Sequence, residues 1–288
     1  MSRTEPHAAG PSVTGLPDTG TDAVRAAVVR LEAAALRLRT VLGAPVAEAA
    51  GATGVAEPAW RAALDEELCD RLIDLAAARA WADRETAGPR ASGAAATVLR
   101  GCALWAVEAD TARVLALAGP DAADGAVPAP AGIPDGAVRA AYPTAVAAQR
   151  QVAVLVTALA SAEVYDAVCA ELRAALGPCP QGRAAAAWEI AGTALSGLGA
   201  TREEWVGADP ACTAAGGWVL VDRIGRLALA AALLAAGPGE AETRVNAARR
   251  HTWNHLRQPP PEAATAVHVR RTAELVDWIT GSAGRSGA

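Results

Sequence analysis

Lysine and phenylalanine are absent from this chain of 288 residues, and asparagine occurs only at Asn246 and Asn254. All three residue types use codons rich in A and T, so their scarcity reports coding composition and carries no functional weight. The five cysteines, Cys69, Cys102, Cys169, Cys179 and Cys212, are odd in number and far apart. They form no C-x-x-C pair, which excludes a disulfide framework and a zinc knuckle and points to a reducing, cytoplasmic compartment. Positive charge is also short. A net charge of −5, with no arginine stripe along one helix, excludes a nucleic-acid partner, because phosphate binding needs clustered cations.

Uninterrupted apolar runs of membrane length are missing too. The opening stretch MSRTEPHAAGPSVTGLPDTG has no apolar core, so residues 1–20 read as a disordered tail and not as a secretory leader. The most apolar stretch, Trp218 to Ala236, is interrupted by Asp222, Arg223 and Arg226. A charge at mid-membrane costs about 2.5 to 3.5 kcal/mol, so this segment reads as a buried helix, and no membrane partner is expected.

What is present is alanine, leucine and punctuation. The chain is 52% apolar and shows no alternating strand pattern. Gly-Pro closes a long apolar run at Gly88-Pro89, Gly119-Pro120, Gly177-Pro178 and Gly237-Pro238. Glycine accepts the left-handed cap and proline forbids continuation, so each pair is a helix stop. The intervals predict helices over 22–42, 57–86, 92–118, 136–176 with a possible break at Pro143, 183–198, 212–236, 240–257 and 262–280. The expected fold is all-α: a single bundle of about eight helices over 21–281 around one central buried helix. A surface loop is expected over 119–136, and a short tail over 282–288.

Chemistry has few places to reside in such a chain. Glu108 falls beside Leu104 and Leu115 on an apolar stripe and is expected to be partly buried. Asp222 and Arg226, four residues apart, share a face of the central helix and are expected to pair, which favours a structural role over a catalytic one. Asp166 is read as solvated. Three of the four histidines cluster near the C-terminus: His251 and His255 in RRHTWNHLRQ, and His268 in AVHVRRTAEL. His251 and His255, one helical turn apart, share a face.

Two short stretches resemble known families. Residues 268–287, HVRRTAELVDWITGSAGRSG, resemble the C-terminal signature of the tryptophan 2,3-dioxygenase-like haem proteins, the register agreeing at His268, Gly281, Ser282, Gly284, Ser286 and Gly287. The resemblance implies haem as cofactor, His268 as its proximal ligand, and Ser282 near the amino group of an aromatic small-molecule substrate that the protein oxidises. Arg271, with Arg249, Arg250 and Arg270, would then face the haem propionates. The family's early distal histidine has no counterpart here, since the only histidine before His251 is His7, in the tail. HTWNHLRQ is similar to the H-x-x-x-H stretch of DinB-like metal-dependent bundles, which implies zinc or nickel on His251 and His255. That family's third histidine is lacking, and His268, Glu262 or Glu108 would have to replace it. The third reading is a non-catalytic accessory protein, open to homo-oligomerisation, whose eight tryptophans fill core and interface. The candidate catalytic residues are therefore Ser282, Glu108, Asp222 and Arg226, with His268, His251 and His255 as metal ligands.

Overall fold

A computed structural model describes residues 20–53, 57–87, 93–118, 145–206, 217–235, 241–257 and 279. These form helices and their connections, with no strand among the described residues. The helices are α1 (Thr21–Thr53), α2 (Glu57–Ala87), α3 (Ala94–Ala118), α4 (Ala145–Ala160), α5 (Ala162–Leu176), α6 (Ala184–Ser196), α7 (Leu198–Val206), α8 (Trp218–Leu234) and α9 (Ala241–Leu256). The all-α bundle read from composition and helix stops is the observed fold.

The stops act as their chemistry requires. Helices α2, α3, α5 and α8 each end just before a Gly-Pro pair. At the one described pair, Gly177 takes φ +62 and its N–H donates to the Arg173 carbonyl at 3.1 Å, closing α5. Three assignments differ from expectation, one of them α7, which runs through 199–206 where no helix is expected. Helix α1 runs on to Thr53 through Gly43 and Pro45, carried by the high helix propensity of the alanines around them. The long helix expected over 136–176 breaks at Ser161, where α4 and α5 meet with a bend of 100°. The Ser161 hydroxyl accepts from the Val164 N–H, a local bond that starts a new helix in place of continuing the old one. Pro143, the expected hinge, lies outside the described residues, as do the tail over 1–19, the loop over 119–136 and all of 262–280 except Ile279.

Helix α8 is the axis of the bundle. It packs against α2, α3, α4, α5, α6, α7 and α9, and it is buried on nearly every side from Leu220 to Leu233. Helices α1, α2 and α3 pack against one another on one side of it. Gly225 sets the closest approach: a Cβ there would lie 2.4 Å from the Cys102 carbonyl oxygen and 3.0 Å from the Ala106 Cβ of α3. That contact draws the next residue, Arg226, within reach of Asp110, one turn beyond Ala106. No single helix among the described residues is long and apolar enough to cross a membrane.

Candidate metal centre

The polar core lies where α2, α8 and α9 meet. Asp74 stands inside the apolar run Leu72 to Ala78 of α2, and its side chain is buried. Helix α9 presents His251 and His255 to it from one face, as their spacing of four residues requires. Oδ1 of Asp74 lies 3.2 Å from His251 Nδ1 and 2.6 Å from His255 Nε2. One ligand atom from each of the three residues lies within 4.8 Å of the other two. His251 is wholly enclosed, whereas the His255 side chain keeps 12% of its surface in solvent and forms the accessible edge of the group.

Protonation follows from these contacts. Burial alone would raise the Asp74 carboxyl; the positive charge of His255, hydrogen bonds from both imidazoles and the Arg226 guanidinium outweigh it and hold the group well below its ordinary 3.8. An ionised carboxylate only accepts, so the two ring nitrogens facing it carry hydrogens. Burial is also the main effect on His251. It lowers the imidazole below its ordinary 6.5, helped by the charges of His255 and Arg226 and opposed by Asp74. A neutral His251 with its hydrogen on Nδ1 has a bare lone pair on Nε2. That atom is buried without a hydrogen-bond partner, and so is Oδ2 of Asp74. Two acceptors are thus withdrawn from water with no donor supplied, an arrangement that costs about 1 to 3 kcal/mol per group.

Behind this trio stands a second charged group. Arg226 is fully buried and forms a two-pronged pair with Asp110, Nη1 to Oδ2 and Nη2 to Oδ1, both at 2.5 Å. Its Nε donates to Asp222 at 3.2 Å, which is the pairing expected from their spacing. Its Nη1 also lies 3.9 Å from Asp74 Oδ1, beyond hydrogen-bond distance but within strong electrostatic reach. Burial opposes the guanidinium charge, and Asp110, Asp74 and Asp222 together more than restore it, raising its pKa.

The structure redistributes the sequence-derived candidates. Glu108 is partly buried as expected, but it pairs with Arg30 of α1, and the carboxylate that meets the two imidazoles is Asp74. Arg250, a candidate partner of a haem propionate, pairs with Asp70 at 2.6 Å. His268, Arg271, Ser282 and Glu262 lie outside the described residues. Trp81 is buried in the core, while Trp218 is 43% exposed and stacks on Trp105 with ring centroids 6.2 Å apart. Sequence reasoning missed Asp74 and Asp110. A signal existed for both: Asp74 interrupts an apolar run, and Asp110 lies three residues after Val107 and four before Val114, on the same buried stripe. Comparison with protein-family models, with curated proteins and with solved structures returns no match.

Proposed function

We propose that this chain is a divalent-metal-dependent enzyme of the helical-bundle type, with the ion held by Asp74, His251 and His255. The observation that carries the reading is the pair of buried lone pairs, on His251 Nε2 and Asp74 Oδ2, that no hydrogen satisfies. A Lewis acid answers that shortage, and imidazole with carboxylate is a donor set suited to zinc or nickel. The likeness of HTWNHLRQ to metal-dependent bundles agrees with the histidine pair, with an aspartate from α2 taking the place of that family's third histidine.

Three protein ligands leave a fourth position for water or substrate, the composition of a catalytic zinc site in contrast to a closed structural one. Such an ion supplies a polarised substrate oxygen or a bound water acidic enough to act as nucleophile near neutrality. The protein's own residues divide the remaining work. His251 and Asp74 anchor from the dry side, and His255 stands at the edge where a small-molecule substrate arrives.

Equilibrium dialysis against zinc, followed by metal analysis, tests the reading. The wild-type chain is expected to retain one zinc, and Asp74→Ala, His251→Ala and His255→Ala to retain little. Zinc retention unchanged in all three variants, or no retention by the wild type, would overturn it.

A further inference from the structure

We propose that Asp110, Arg226 and Asp222 form the outer shell of this centre: a clamped guanidinium that fixes Asp74 in place. The inference rests on the metal reading above and adds to it three residues that touch no ion.

Charge comes first. Asp74, Asp110 and Arg226 are almost completely withdrawn from solvent, and Asp222 keeps 18% of its side-chain surface exposed. Asp74, Asp110 and Asp222 face the Arg226 guanidinium from three sides, and the half-exposed Arg113 adds a second contact to Asp110 at 3.3 Å. Buried charges persist only when paired, so the carboxylates and the guanidinium hold one another in place.

Geometry comes second. The polar contacts of the Asp74 carboxylate converge on Oδ1: both imidazoles, and Arg226 at 3.9 Å. Oδ2 has none. A cation on the Oδ1 side alone disfavours rotation of the carboxylate about its own axis. The cation itself cannot drift, because Asp110 grips both terminal nitrogens and Asp222 holds Nε. Charged groups behind the ligands that fix orientation in this way commonly alter metal affinity by about 10 to 100-fold when removed.

Two variants of the full chain test this. Asp222→Asn removes one charge at the partly exposed end of the shell. The double variant Arg226→Met/Asp110→Leu replaces the buried pair with apolar side chains of similar bulk, a change that folded proteins commonly tolerate. Zinc affinity is measured by competition with a chromophoric chelator, and ligand geometry by the visible absorption of the cobalt(II)-loaded protein. With helicity and cooperative unfolding retained, both variants are expected to bind zinc about 10 to 100-fold more weakly, with shifted cobalt bands. Wild-type affinity and an unchanged cobalt spectrum in both would overturn the outer-shell role while leaving the metal reading intact. Failure of the wild-type protein itself to bind zinc or cobalt would overturn both.

Discussion

Individual buried groups set the sharpest constraints on this protein. Among the described residues, the buried Asp110 is paired by Arg226 and by the half-exposed Arg113, at 3.3 Å. Arg226→Ala therefore strands a buried carboxylate and is expected to cost about 3 to 5 kcal/mol in chemical denaturation, whereas the double Met/Leu replacement costs much less. The pH dependence of the metal-free protein has a definite sign. His251 is lowered when folded, so below about 6.5 the unfolded chain takes up a proton that the folded chain refuses, and stability falls with acidification. Asp74 is lowered as well; the stability it supplies is present above its ordinary 3.8 and is lost as pH falls through its depressed folded value. Urea midpoints of chelator-treated protein are expected to drop between about pH 7.5 and about pH 5.5, and to drop less in His251→Asn. A midpoint that rises with acidification would contradict these protonation states. At this scale the sequence is only partly legible. The histidine pair and the Asp222–Arg226 pair follow from helical spacing alone. Asp74 and Asp110 belong to the site only through the packing of α2 and α3 against α8, which spacing within one helix does not encode.

Elements are held in place by small residues as much as by large ones. Gly225 presses on the backbone of Cys102, and backbone cannot yield cheaply; Gly101 faces the Leu155 Cδ2 at 2.8 Å, the end of a side chain that can turn away. Gly225→Ala is therefore expected to destabilise the protein by about 1 to 3 kcal/mol and Gly101→Ala by clearly less, measured as shifts in urea midpoint. Gly225→Ala is also expected to weaken metal binding, since it pushes Arg226 away from Asp110. Equal, negligible effects of the two changes would contradict the close approach of α8 and α3. Helix ends were readable from sequence because glycine and proline act locally. The break at Ser161 was less visible, since a serine in an alanine-rich run becomes a cap only when tertiary packing favours the bend. The continuation of α1 past Pro45 shows the opposite case, in which strong helix propensity carries the chain through residues that usually end a helix.

At the scale of the molecule, seven of the described helices pack against α8, and the interior between them is mostly aliphatic. Among the described residues, the cluster of Asp74, His251 and His255 is the single group of three with metal-ligand spacing. It sits against Arg226, whose guanidinium is entirely buried with carboxylates on three sides. The reduced cysteines fit this division, with Cys69, Cys102 and Cys169 serving as buried apolar filler, and burial pushing the Cys102 thiol well up. X-ray absorption at the zinc edge of the zinc-loaded protein reads the ligand set without reference to any substrate. The expected spectrum has two imidazole nitrogens with carboxylate or water oxygens at about 2.0 to 2.2 Å and no sulfur. A sulfur shell at about 2.3 Å, or an ion with no imidazole scattering, would place the metal elsewhere and contradict the assignment of Asp74, His251 and His255.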